Sequence, residues 1–170
     1  MRNIEIKAKV SDLKQLLEKA KILAGQEAII IKQHDTFYNV PNGRLKLRRF
    51  VENGEGELIF YNRPDSEGPK LSSFEKVSLQ SPSVAGLNKV LDKALGAKID
   101  VKKTRHLFLV EQTRVHVDEV EDLGSFMELE VCLKPEQEIS EGEKIAYDLM
   151  EKLGINKQDL ISGAYADLIK

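Results

Sequence analysis

The sequence predicts an α+β fold: an eight-stranded antiparallel β-barrel, a tunnel with a polar, charged interior, and helices packed outside it. Three observations carry that reading. About eight segments read as strands, most of them alternating polar and apolar residues with a period of two, the mark of strands with unlike faces. Four other segments space their apolar residues as amphipathic helices do. Eight strands are also too many for a sheet to stay open and flat comfortably, and the helices need an apolar surface to cover. The 170 residues, with only five prolines and no linker-like stretch, fit one domain over 1–170.

Residues 3–10 alternate Ile4, Ile6, Ala8 and Val10 with Asn3, Glu5, Lys7 and Lys9. Ser11 can cap a helix over 12–24, striped by Leu13, Leu16, Leu17, Ala20 and Ala24 and stopped by Gly25. The β-rich run 29–38 leads to the turn Pro41-Asn42-Gly43. Strand 44–49 sets Arg44, Lys46 and Arg48 against Leu45 and Leu47. Beyond the turn Asn53-Gly54-Glu55-Gly56, strand 57–63 sets Glu57, Ile59, Tyr61 and Arg63 against Leu58, Phe60 and Asn62. Residues 64–73 read as a polar loop, and 74–79 as a short strand with Lys76. Ser83 can cap a helix over 84–95, ended by Gly96. Three further strands follow: 101–110 with Lys103 and Arg105, 113–118 with Arg114, His116 and Asp118, and 127–133 with Glu128, Glu130 and Cys132. Ser140 and Glu143 form a capping-box pattern before 141–153, and a last helix is expected over 157–169.

The 26 basic and 28 acidic residues nearly cancel, which argues against a large basic surface for nucleic acid. A single cysteine excludes an internal disulfide and a multi-cysteine zinc site. The N-terminus lacks the apolar core of a signal peptide, and no stretch approaches the length of a membrane-spanning helix, so the expected location is cytoplasmic. Position matters more than net charge. The polar strand faces carry Lys7, Lys9, Arg44, Lys46, Arg48, Arg63, Lys76, Lys103, Arg105 and Arg114, with Glu5, Glu57, Asp118, Glu128 and Glu130 among them.

An open antiparallel sheet would turn these charges to water. A closed one would turn them inward, where they are costly unless met by water, counter-charges or a ligand. A multiply charged anion offsets the mutual repulsion of so many cations, and a polyphosphate suits both Arg and Lys. The carboxylates then serve as ion-pair partners, or as hard oxygen ligands for Mg²⁺ or Mn²⁺ shared with phosphate oxygens. Lys9, near a strand end, reads as solvated, and Cys132 as a small buried filler. Tyr61 reads as a tunnel-wall contact or as packing. His116 is a proton relay near Asp118 or, more simply, a hydrogen-bonded structural histidine.

Several segments, taken in order, resemble the CYTH family, also called triphosphate tunnel metalloenzymes. They are Asn3-Ile4-Glu5-Ile6-Lys7, Asp35-Thr36-Phe37-Tyr38 leading to Gly43-Arg44-Leu45-Lys46-Leu47-Arg48, Tyr61-Asn62-Arg63, Val101-Lys102-Lys103-Thr104-Arg105, and the run from Val117-Asp118 through Leu123-Gly124-Ser125 to Glu128-Leu129-Glu130. The wording is closest to the class IV adenylyl cyclase branch. The resemblance implies an eight-stranded tunnel that binds a triphosphate-bearing small molecule with one or two divalent metals. It implies triphosphate ligands at Lys7, Arg44, Lys46, Arg48, Arg63, Lys103 and Arg105, with Lys76 and Arg114 as further candidates, and metal ligands at Glu5, Asp118, Glu128 and Glu130. Asn3 stands at the first position of the family's Glu-x-Glu-x-Lys, where it offers a neutral oxygen in place of a carboxylate.

The resulting expectation is a Mg²⁺- or Mn²⁺-dependent enzyme acting on ATP or inorganic tripolyphosphate, as a cyclase or a triphosphatase. The alternative is a non-catalytic module that binds polyphosphate or an organic phosphate. Neither nucleic acid nor membrane is an expected partner, and monomer and homodimer both stay open. No residue is singled out as the catalytic one.

Overall fold

In the computed structural model, which describes residues 1–169, the strands are β1 (Arg2–Lys9), β2 (Ile29–Tyr38), β3 (Arg44–Phe50), β4 (Gly56–Asn62), β5 (Lys70–Leu79), β6 (Ala97–Val110), β7 (Thr113–Val120) and β8 (Gly124–Cys132). They close into a barrel in the order β1-β5-β4-β3-β2-β6-β7-β8, every neighbouring pair antiparallel. The seam that closes it joins β1 to both β8 and β5, with Glu5 opposite Glu130 on one side and Lys70 on the other. That pairing explains why β5 begins at Lys70, inside the stretch expected to be a loop. Leu71 and Ser72 take ladder positions against Ile4 and Asn3.

The outward faces are apolar and lie under helices α1 (Leu13–Ala24), α2 (Ser81–Leu95) and α3 (Ile139–Lys152). Ile4, Ile6, Val115, Val117, Leu129 and Val131 are fully buried in one core with Leu16 and Ala20 of α1 and Ala146, Leu149 and Met150 of α3. Leu47 and Tyr38 form a smaller core with Val84 of α2. Among the described residues, no helix is long and apolar enough to cross a membrane.

The helix starts differ from the expected ones by a few residues. Asp12, rather than Ser11, caps α1, accepting from the Gln15 amide at 3.1 Å. Pro82 sits in the first turn of α2, where its missing N–H costs nothing, and no side-chain cap is needed. The capping box of α3 pairs Glu138 with Glu141.

The last expected helix, 157–169, does not form as one unit. A 3₁₀ turn at Lys157–Asp159 is followed by extended chain and then by the short helix α4 (Tyr165–Leu168). The Ile161 amide donates to the Lys7 carbonyl at the end of β1, and Gly163 takes a positive φ of 79° that redirects the chain. The segment therefore crosses one end of the barrel instead of packing on its outside.

Gly142 marks the closest approach of α3 to the sheet. A Cβ there would lie 2.6 Å from both Ile4 Cγ1 and Leu133 Cδ2. Gly142→Val should lower stability by about 1–3 kcal/mol, the usual cost of overpacking a filled core. Thermal denaturation followed by circular dichroism checks this.

Candidate active site in the barrel lumen

Alternation decides what the lumen receives. Because Ile4 and Ile6 point outward, Asn3, Glu5 and Lys7 point in, and the same holds around the sheet. The resulting cavity, of about 330 Å³, is lined by Glu5, Lys7, Lys46, Arg48, Arg63, Lys76, Lys103, Arg105, Arg114, Glu128 and Glu130 from seven of the strands or their ends. Phe37, Ile59, Tyr61, Phe74 and Val101 add an apolar stretch of wall.

Two predicted residues lie elsewhere. Arg44 sits at the rim and pairs with Asp65 at 2.9 Å and Asp167 at 2.8 Å. Asp118 is fully buried behind the wall. Both of its oxygens accept from Arg105 at 2.8 Å, and the Tyr165 hydroxyl donates to one of them at 3.0 Å. Lys76 and Arg114 stand half-exposed at the mouth, beside Glu57 at 3.3 Å and Glu130 at 3.5 Å. Cys132 is part of this mouth and is only half-buried, rather than a core filler. Lys9 is exposed, as expected.

Around β2 the cavity wall holds more cations than carboxylates. Asp35, which the sequence reading placed in a motif but not in the site, is 1% exposed. It accepts two bonds from Arg48 at 2.9 Å, and lies 3.6 Å from both Lys46 and Lys103. One carboxylate thus faces three cations. Burial, with Arg48 beside it, lowers the Lys46 pKa to about 8. Burial, with Arg105 beside it, lowers that of Lys103 to about 7. Asp35 was findable in the alternation, since Gln33, Asp35 and Phe37 share one face of β2. Its partners depend on the register of β2 against β3 and β6.

The C-terminal segment supplies groups that no local pattern announces. The Gly163 carbonyl accepts from Lys7 at 3.2 Å and from Arg63 at 3.0 Å. The Tyr165 ring lies under the ammonium groups of Lys7 and Lys103, at 4.1 and 5.1 Å from its centroid. Together Gly163, Ala164 and Tyr165 lie across the barrel at the end where β1 finishes, and Ala164 and Tyr165 line the cavity.

On the opposite wall, Glu128 lies 3.6 Å from Arg105 and 3.9 Å from Lys7. Burial alone would raise its pKa, but Lys7 and Arg105 hold it well below the usual carboxylate range. Glu130 behaves in the opposite way. Burial, with Glu5 directly across the ladder, raises its pKa. Glu5 itself accepts from Arg63 at 2.7 Å. His116 is buried between these groups and is not the hydrogen-bonded histidine expected, for neither ring nitrogen meets a protein partner. Burial, with Arg105 nearby, holds its pKa well below the ordinary value, so the ring is neutral.

The donor set suits a hard divalent cation. Glu5 and Glu130 are adjacent carboxylates whose like charges disfavour each other without a cation between them. Among the described residues, no three acidic, histidine or cysteine side chains converge as a ready-made metal cage. Mg²⁺ does not need one, since it is commonly held by one or two carboxylates, with substrate phosphates and water completing the shell.

Residues 1–165 match the CYTH domain, and the chain belongs to that family. A protein from Methanocaldococcus jannaschii, named putative adenylate cyclase MJ0240, is 27% identical, over 99% of this chain and 98% of its own length. Among solved structures, the PH1012 protein of Pyrococcus horikoshii OT3 superposes with a TM-score of 0.85 at 23% identity, covering 99% of both chains. A putative adenylate cyclase of Vibrio parahaemolyticus superposes with a TM-score of 0.76 at 16% identity, covering 98% of this chain and 97% of its own. These superpositions establish the shared barrel.

An anion in this cavity should restore the two lysines toward 10.5, so binding of tripolyphosphate near pH 8 should take up protons. The affinity these lysines contribute should fall as pH rises through their ligand-free values of about 7 and about 8. Calorimetry in buffers of different ionisation enthalpy measures the uptake. Lys103→Arg, which stays charged throughout, should remove a large share of it.

Proposed function

We propose that this protein is a divalent-metal-dependent enzyme acting on a triphosphate, either ATP or inorganic tripolyphosphate. The observation that supports this most directly is the sharing of Asp35 by Lys46, Arg48 and Lys103 within the lumen. Such an excess of buried cations is stabilised by a polyanion, and membership of the CYTH family makes a triphosphate the natural choice.

On this reading Lys7, Lys46, Arg48, Arg63, Lys103 and Arg105 bind the phosphate chain and fix its conformation. Arg105 is itself held rigid by Asp118 and Tyr165. Glu5 and Glu130 would hold Mg²⁺ or Mn²⁺, which supplies neutralisation of phosphate charge as it develops. If water attacks the terminal phosphorus, the bond to the bridging oxygen breaks, ADP or pyrophosphate is the leaving group, and the transferred phosphoryl group becomes orthophosphate as the water gives up a proton to solvent. If a ribose 3′-hydroxyl attacks the α-phosphorus, its O–H proton is lost, pyrophosphate leaves and cyclic AMP forms. The cation cradle serves both reactions, because in each it stabilises negative charge on phosphate oxygens.

Asn3 favours a second reading. It lies on the lumen face beside Glu5, where it adds a neutral oxygen to the carboxylate end of the cavity. With a weaker metal site, the same cavity would hold a polyphosphate or organic phosphate without turnover.

A substrate panel of ATP, tripolyphosphate and thiamine triphosphate with Mg²⁺ and Mn²⁺, assayed for cyclic AMP, pyrophosphate and phosphate, separates the two readings. Turnover that needs metal is the expected result; tight binding without turnover would leave the binding module. Lys103→Ala should weaken triphosphate binding by about 1–3 kcal/mol, and Lys9→Ala should leave it unchanged. Glu130→Gln should leave metal-free binding unchanged or tighter, and should sharply reduce metal-dependent binding and turnover. Equal losses from Lys103→Ala and Lys9→Ala would mean that only diffuse charge attracts the ligand.

A further inference from the structure

His116 stands in the middle of β7, facing the lumen, opposite Glu128 in the β7–β8 ladder and Leu107 in the β6–β7 ladder. It is 2% exposed, and both ring nitrogens lack a protein partner. A buried polar group without a partner costs stability, and a neutral imidazole brings two such groups, one donor and one acceptor. Packing alone does not account for it, since an apolar side chain would fill the same space without that cost.

The charged groups of the wall indicate what the ring can do that they cannot. The carboxylates in and around the lumen, Glu5, Asp35, Glu57, Asp118, Glu128 and Glu130, each lie within 4.0 Å of a Lys or Arg nitrogen. The Lys and Arg side chains only donate hydrogen bonds, which suits phosphate oxygens. A water or hydroxyl that attacks phosphorus has a different requirement. It must aim a lone pair at phosphorus while its own hydrogen is held by an acceptor. His116 offers such an acceptor without a cation already on it.

We propose that His116 meets the reacting end of the bound substrate, its unprotonated ring nitrogen accepting the hydrogen bond of the water or hydroxyl that attacks phosphorus. This rests on the triphosphate chemistry proposed above. The cations then hold the chain, and His116 orients the nucleophile.

The experiment compares the parent protein with His116→Leu and His116→Gln. Ligand-free His116→Leu should unfold at the same temperature as the parent or higher, because it removes two unpartnered polar atoms. Its affinity for tripolyphosphate without metal should stay within ~3-fold of the parent. Its kcat with Mn²⁺ should fall ~100-fold or more with little change in KM, since an oriented nucleophile acts mainly on the chemical step. His116→Gln, whose amide can both accept and donate, should recover about a tenth of parental turnover or more. In the parent, the ¹⁵N resonances of the His116 ring should shift when tripolyphosphate binds. Retained turnover in His116→Leu, or equal losses of stability, binding and turnover, would overturn the proposal. So would ring resonances that stay fixed while tripolyphosphate binds, or a parent that binds it but turns over none of the substrate panel. Failure of the parent to bind tripolyphosphate at all would instead remove the triphosphate reading, and this role with it.

Discussion

Three cations, Lys46, Arg48 and Lys103, lean on the single carboxylate of Asp35 inside a closed sheet, and much of the molecule follows from keeping them there. Pairing of β2 with β3 on one side and β6 on the other lets Arg48, Lys46 and Lys103 converge on Asp35 from both flanks. In an open sheet this group would face water. Closure of the sheet removes the water that would screen the charges, and the lysines respond by giving up their protons more readily. The apolar outer faces make that closure possible. The stripes of α1 and α3 bury Ile4, Ile6, Val115 and Leu129, and a slip of one residue in any of these strands would exchange core for lumen.

A second network fixes the shape of the site. Asp118 holds Arg105 through two parallel hydrogen bonds and is itself held by the Tyr165 hydroxyl. Arg63 bridges Glu5 and the Gly163 carbonyl. These contacts tie the last residues of the chain to the lumen side chains of β1 and β6. Removal of Tyr165 would therefore reach Arg105 through Asp118, and would also take away the ring beneath the Lys7 and Lys103 ammonium groups.

The barrel was legible in the sequence because alternation of period two is a local property. So was the list of inward cations, for Lys7, Lys46 and Arg48 each adjoin an apolar residue on their own strand, and Lys103 and Arg105 share one face of β6. The pairing of charges was not legible, since it depends on register between strands far apart in the chain. Asp118 shows the difference. Its place on the polar face of β7 was clear, but its commitment to Arg105 follows only from their opposition in the β6–β7 ladder. Arg44, equally inward by pattern, is drawn to the rim by Asp65 and Asp167. The C-terminal residues were missed for a related reason. Their apolar spacing suits a helix, and only the Ile161 bond to Lys7 and the turn at Gly163 show that they lie across the barrel.

Gly163, Ala164 and Tyr165 lie across one end of the barrel, while Lys76, Arg114 and Glu130 stand half-exposed toward the other. A lumen crossed at one end imposes an order on traffic that an open passage does not. If the protein acts on a phosphate chain, as proposed, the chain would enter end first, and the depth to Tyr165 would serve as a ruler for its length. The fragment lodged against Lys7 and Lys103 would then be the last to leave, and the strength of that contact would limit how quickly the lumen is filled again.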